Sequence, residues 1–142
     1  MTDRLQLARG DFGWNRQIVR MEAHALRGRS PLLTVWLPIV VWAALIFALS
    51  SIPSLGTGLG TWDTILRKGA HVTEYAIFGL LLARAIGREL PAFLLGVGYA
   101  ITDEIHQHFV TGRHSSPIDV AIDSTGVLIG VLVFFRARRW AR

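Results

Sequence analysis

The chain has 142 residues, a length for one domain, and 51% of them are hydrophobic, which is high for a soluble protein. The net charge of +5 is concentrated near the ends, since six arginines precede Pro31 and four follow Phe135. Basic clusters flanking long apolar segments are typical of membrane orientation signals and argue against nucleic-acid binding. The absence of cysteine excludes disulfides, zinc-thiolate sites and thiol nucleophiles.

Residues 1–31 form a basic polar segment that we expect to lie in the cytoplasm. Apolar side chains recur within it at helical spacing, with arginines on the opposite side, at Trp14, Ile18, Met21 and Ala25. This pattern predicts either an amphipathic helix lying in the headgroup layer or a disordered basic tail.

Four apolar segments follow and predict an all-α fold, an integral membrane bundle of four transmembrane helices. The first, Leu32–Ile52, carries no charged residue and is long enough to cross a bilayer core of about 30 Å. The spans are predicted at about residues 32–52, 67–86, 90–109 and 117–135, giving a membrane domain of 32–135 and a basic tail of 136–142. Lys and Arg are concentrated in the terminal segments and around Arg84–Arg88, which predicts that both termini are cytoplasmic.

This topology brings the polar ends of three spans to the non-cytoplasmic side. We predict that their side chains line one outward-facing polar pocket, comprising Lys68, His71, Glu74, Tyr75, Asp103, Glu104, Gln107, Arg113, Asp119 and Asp123. Charges at the edges of apolar spans are costly unless they pair or face water, so they indicate a functional site. We expect Asp103 and Glu104 to pair across the helices with cations such as Lys68.

The start of the fourth span has a structural interpretation beside the functional one. The residues from Ser116 to Asp119 resemble a helix N-cap followed by proline and an acid, so Asp119 is either a capping or a binding residue. Asp123 lies one turn deeper and cannot cap the helix. It shares its face with Gly126 and Gly130, whose spacing predicts a close helix contact.

The histidines leave several roles open. His71 near carboxylates is compatible with a metal ligand, a proton carrier or a hydrogen-bond partner. No spacing is diagnostic, so no cofactor is predicted, although a divalent metal would find candidate ligands in His71, Asp103, Glu104, Asp119 and Asp123. We expect His106, His108 and His114 to be solvated loop residues.

Motifs in all four spans occur together in a recognisable order. They are Phe47-x-x-Ser50-Ser51-x-Pro53, Lys68-x-x-His71-x-x-x-Tyr75-x-x-x-Gly79, and Asp103-Glu104-x-x-Gln107 followed by Gly112-Arg113, Ser116, Asp119 and Gly126-x-x-x-Gly130. Over about residues 33–135 the chain resembles the VanZ-like family of bacterial membrane proteins. It departs from the family at Asp123, where Asn is more frequent, and at Thr111, which replaces a frequent Pro.

The resemblance implies a four-helix protein of the bacterial cytoplasmic membrane and a link to resistance against teicoplanin, a glycopeptide antibiotic. The expected partners are the lipid bilayer, an envelope precursor or glycopeptide, and a second copy in a homodimer. Whether the protein is an enzyme stays open. The alternatives to a binding pocket are a metal-dependent hydrolase or phosphatase acting on a lipid-linked substrate, with His71 or Glu104 as general base, and a small proton-coupled carrier.

Overall fold

The computed structural model describes residues 31–53, 61–113 and 115–141, which are all-α and contain no strand. The helices in chain order are α1 Pro31–Ser50, α2 Thr61–Ile86, α3 Glu89–Gln107 and α4 Pro117–Trp140. The all-α prediction is confirmed. The start of α2 lies before the predicted Arg67, because Thr61, Asp63 and Thr64 interrupt the apolar residues of its first turns.

The chain divides into two compact units, Met1–Thr34 and Val35–Arg142. Of the first unit, the described residues include only the start of α1. The predicted interfacial helix around Trp14 therefore lies outside the described residues, as does the Gly-rich segment 54–60. The second unit contains α2, α3, α4 and most of α1.

Two of these helices are long and apolar enough to cross a membrane. The segment Leu33–Ser50 of α1 has a mean hydropathy of 2.2, and the most apolar 18-residue window of Pro117–Trp140, which is α4, has a mean hydropathy of 2.0. Polar and charged side chains in α2 and α3 lower the hydropathy of these helices. The structure thus supports two candidate spans, and the four-span topology stays a prediction.

The contact between α2 and α4 is the most extensive in the bundle, and glycines allow the two backbones to approach. A Cβ at Gly126 would lie 2.6 Å from the carbonyl oxygen of Val72. At Gly130 a Cβ would overlap the backbone of Ala76, and on α2 a Cβ at Gly79 would overlap the backbone of α4. Small residues of this kind are typical of closely packed membrane helices.

By contrast, α1 contacts the other helices through long side chains. Within the described residues, no Cα atom of α1 comes within 8 Å of a Cα atom in α2, α3 or α4. The indole nitrogen of Trp42 donates to the carbonyl oxygen of Glu74 at 2.9 Å, and the hydroxyl of Tyr99 donates to the carbonyl oxygen of Ala43 at 2.6 Å. Ile46 fills the intervening space and is fully buried. Side-chain hydrogen bonds and packing therefore hold α1.

Replacing Gly130 by alanine is expected to lower the melting temperature of the purified protein in detergent. The new Cβ would meet the backbone of Ala76, and overpacking of this kind costs about 1–3 kcal/mol. The control is Gly98→Ala, because a Cβ there meets no atom within 4 Å and alanine is the better helix former. Melting is monitored by tryptophan fluorescence. Equal melting temperatures for the two variants would contradict the close contact.

Candidate functional site

A buried carboxylate on α3 joins three helices at one end of the bundle. Asp103 is only 2% exposed. Its Oδ2 accepts hydrogen bonds from the Ser50 hydroxyl of α1 at 2.8 Å, the Tyr75 hydroxyl of α2 at 3.1 Å and the Gln107 amide at 2.9 Å. The expected pairing of Asp103 with Lys68 is not formed, because neutral donors surround the carboxylate and Lys68 has another partner.

The loop between α3 and α4 is attached to the end of α1 by Arg113. Its Nε donates to the carbonyl oxygen of Ile52 at 3.1 Å, and its Nη2 donates to that of Leu49 at 3.0 Å. A cation at this position is favoured by the dipole at a helix C-terminus. Its Nη1 donates to Oε1 of Gln107 at 3.0 Å, so a continuous chain of hydrogen bonds leads from Arg113 through Gln107 to Asp103.

Glu104 holds the start of α4. Its Oε1 accepts a hydrogen bond from the backbone nitrogen of Ser116 at 2.6 Å, while the Ser116 hydroxyl accepts one from the backbone nitrogen of Ile118 at 3.2 Å. The predicted N-cap at Ser116 is confirmed. The acid that reaches the N-cap nitrogen is Glu104 of α3, however, because the carboxylate of Asp119 contacts Lys68 instead.

Two acid–base pairs connect α2 to α4, one helical turn apart. In the outer pair, the Nζ of Lys68 forms an ion pair with Oδ1 of Asp119, and both side chains are partly exposed. In the inner pair, the Nδ1 of His71 lies 3.4 Å from Oδ1 of Asp123. Asp123 is 1% exposed, so the inner pair is the more deeply placed of the two.

The inner pair leaves buried polar atoms without hydrogen-bond partners among the described residues. These atoms are Nδ1 of His71 and both carboxylate oxygens of Asp123. Outside the pair, Oδ1 of Asp103 is also buried without such a partner. An unsatisfied buried polar group costs about 1–3 kcal/mol, and a charged one costs more. The pair therefore retains the capacity to bind a hydrogen-bond donor or a cation.

A cavity of about 330 Å³, here called the polar cavity, lies between α2, α3, α4 and the loop before α4. Its described lining carries cations at Arg67, Lys68 and Arg113, carboxylates at Glu104, Asp119 and Asp123, and the polar side chains of His71 and Gln107. Glu74, Tyr75 and Asp103, which were predicted to line the pocket, are not among the described residues that line this cavity. Tyr75 and Asp103 are buried, and hydrogen bonds connect them to Gln107.

The pocket predicted from the sequence left out several residues that the structure brings to this region, among them Arg67 and Ser50. Arg67 lines the polar cavity, although a long cationic side chain near a helix end is expected to extend towards the headgroups. Ser50 is buried and bonded to Asp103. The available signal for Ser50 was the serine pair that ends an otherwise uncharged apolar segment.

Of the three histidines that we expected to be solvated, one is partly buried, one is exposed and one lies outside the described residues. His106 is partly buried, since its ring stacks on Phe47 with centroids 4.2 Å apart and its Nε2 lies 3.0 Å from the hydroxyl of Ser51. It therefore packs between α1 and α3. His108 is exposed, as expected, and His114 lies outside the described residues.

The five candidate metal ligands do not form a metal-binding group, although four of them line the polar cavity. In the part of the chain that the structure describes, no group of three or more His, Asp or Glu side chains is arranged to hold a metal ion. Asp103, Glu104 and Asp119 each bond to a different set of protein donors. The metal-dependent hydrolase alternative receives no support from this arrangement.

Comparison with known proteins shows what kind of chain this is. A family model described as VanZ/LLP1 matches residues 27–138. The chain belongs to the VanZ-like family. The match includes every residue of the polar cavity and confirms the resemblance inferred from the motifs. Comparisons with curated proteins and with solved structures give no match.

In this VanZ-like bundle, Asp103→Ala is expected to lower the free energy of unfolding. The substitution leaves the buried hydroxyls of Ser50 and Tyr75 without their acceptor, at about 1–3 kcal/mol for each unsatisfied group. It also removes one of the two acceptors of the Gln107 amide, whose other acceptor is the Ser50 hydroxyl. The control is Thr102→Ala, an exposed neighbour whose hydroxyl bonds within α3. Denaturant unfolding in mixed micelles provides the measurement, and equal effects of both substitutions would contradict the role of Asp103.

Proposed function

We propose that this VanZ-like protein spans the bacterial cytoplasmic membrane four times, and that its polar cavity faces away from the cytoplasm and binds the anionic group of a cell-envelope component. Altered susceptibility to glycopeptides such as teicoplanin is the expected phenotype. The observation that carries this proposal is the convergence of Arg67, Lys68 and Arg113 on one cavity.

The surface of the bundle supports the membrane part of the proposal. Large apolar side chains are exposed on every helix, for example Leu37 on α1, Ile77 on α2, Leu94 on α3 and Leu132 on α4. An apolar surface of this extent is unfavourable in water and matches a lipid environment. Basic residues accompany the end of the bundle opposite the cavity, which is typical of the cytoplasmic side.

The donors of the cavity support binding of an anion. A guanidinium has five N–H groups, and the three hydrogen bonds of Arg113 to the protein use three of them. Lys68 is paired with Asp119 where both side chains are accessible, at 42% and 34% exposure. An exposed ion pair is weak, so a phosphate or carboxylate can replace Asp119 as the partner of Lys68 at little cost.

The four-span topology is tested by labelling single cysteines, which the native chain lacks. Thr111 lies in the loop at the cavity end of the bundle, and Ala141 follows α4 at the other end; both are exposed. A membrane-impermeant maleimide is expected to label the Thr111→Cys variant in intact cells and the Ala141→Cys variant only after permeabilisation. Labelling of both variants from the same side would rule out this topology.

The binding function is tested by teicoplanin susceptibility in a glycopeptide-susceptible bacterium. We expect wild-type protein to raise the inhibitory concentration and Lys68→Gln to reduce it to that of the empty vector, because the anionic group loses its cation. Arg139→Gln makes the same chemical change in an exposed ion pair with Glu89, outside the polar cavity, and is expected to act like wild type. Full protection by Lys68→Gln at equal membrane levels would show that the cavity is not responsible.

A further inference from the structure

We propose that the ligand of the polar cavity is a zwitterion of the phosphoethanolamine class, whose ammonium group is bound by Asp123. This inference rests on the proposed function, which supplies the site for the anionic group. It adds a second, oppositely charged group to the ligand and assigns that group to the inner pair.

Asp123 provides the first argument. Its side chain lines the polar cavity, is 1% exposed and has no hydrogen-bond partner for either oxygen among the described residues. The basic group facing it is His71, whose Nδ1 lies 3.4 Å from Oδ1, beyond the usual hydrogen-bond range of about 2.7–3.2 Å. Even a closer imidazole would supply this carboxylate with only one N–H donor from that nitrogen.

An ammonium group supplies what the carboxylate lacks. It carries three N–H donors and a positive charge, so it can satisfy a buried carboxylate by charge-assisted hydrogen bonds. The outer pair lies about 5.4 Å away, one helical turn along the axis, where Lys68 and the nearby Arg113 can hold the phosphate. A short ethanolamine spacer is suited to connect groups bound at these two levels.

The composition of the cavity wall discriminates between types of ammonium. A quaternary ammonium, as in choline, has no N–H donor and is typically recognised by an aromatic cage. The described residues that line the polar cavity include no Phe, Tyr or Trp. A carboxylate without an aromatic cage therefore favours a primary ammonium.

A neighbouring apolar groove favours a lipid as the source of this headgroup. The groove has a volume of about 450 Å³ and lies between α3 and α4, with Ile101, Ile105 and Val120 in its wall. Glu104 lines both this groove and the polar cavity. The cavity and the groove are therefore adjacent, so one molecule bound over Glu104 could place its headgroup in the cavity and an acyl chain in the groove.

The experiment is lipid retention by the purified full-length protein, measured by native mass spectrometry. The protein is equilibrated with equimolar ethanolamine, choline and glycerol phospholipids that have identical acyl chains. We expect wild type to retain the ethanolamine lipid at least about tenfold more than the choline lipid, in line with the value of one charge-assisted hydrogen bond. Asp123→Asn, which keeps the shape of the side chain, is expected to abolish this preference.

The control variant is Glu89→Gln, which changes a carboxylate to an amide in the exposed pair with Arg139 and should leave the preference unchanged. An unchanged preference in Asp123→Asn, or no preference in wild type, would overturn the inference. Even if Asp123→Asn fails to fold, the retention of the three lipids by wild-type protein still tests the inference.

Further arms separate this inference from the proposed function and identify the source of the headgroup. Equal retention of all three lipids by wild type, lost in Lys68→Gln, would overturn the zwitterion and preserve the anion site. Absence of retention in wild type, together with no effect of Lys68→Gln on teicoplanin susceptibility, would overturn both the zwitterion and the anion site. Displacement of the lipid by soluble phosphoethanolamine would show that the headgroup alone is sufficient for binding. Preferential retention that soluble phosphoethanolamine does not reverse would support a lipid bound through the groove.

Discussion

The cavity end of the bundle depends on the carboxylate of Asp103, which accepts three hydrogen bonds. The helices α2, α3 and α4 pack directly against one another, whereas α1 stands further away. At this end, Ser50 attaches α1 to Asp103, and Arg113 attaches the last turn of α1 to the loop before α4. Because Gln107 connects these two attachments, the position of α1 and the shape of the cavity wall are linked.

The polar groups around the cavity divide into those that maintain its shape and those available to a ligand. Oδ2 of Asp103 and Oε1 of Glu104 accept hydrogen bonds that connect α3 to its neighbours in the bundle. Lys68 is in an accessible ion pair, and Asp123 has no hydrogen-bond partner among the described residues. Hydrogen bonds of the first kind rigidify a structure, which lets the second kind keep a fixed spacing in the free protein.

Much of this arrangement follows from sequence, because helical spacing determines which residues share a face. The all-α fold, the N-cap at Ser116 and the family all follow from such patterns. Spacing along one helix does not determine partners on another helix. Asp103 therefore bonds to hydroxyls in place of the expected Lys68, Glu104 takes the capping role considered for Asp119, and no pattern indicated the stacking of His106.

The most direct test of the account is a double-mutant cycle between Ser50 and Asp103, with alanine at each position and the free energy of unfolding measured in mixed micelles. If the carboxylate holds α1 through this hydrogen bond, the two substitutions should be coupled by about 0.5–3 kcal/mol, as for residues in direct contact. Effects that add to within about 0.3–0.5 kcal/mol would show that Asp103 does not connect α1 to the bundle.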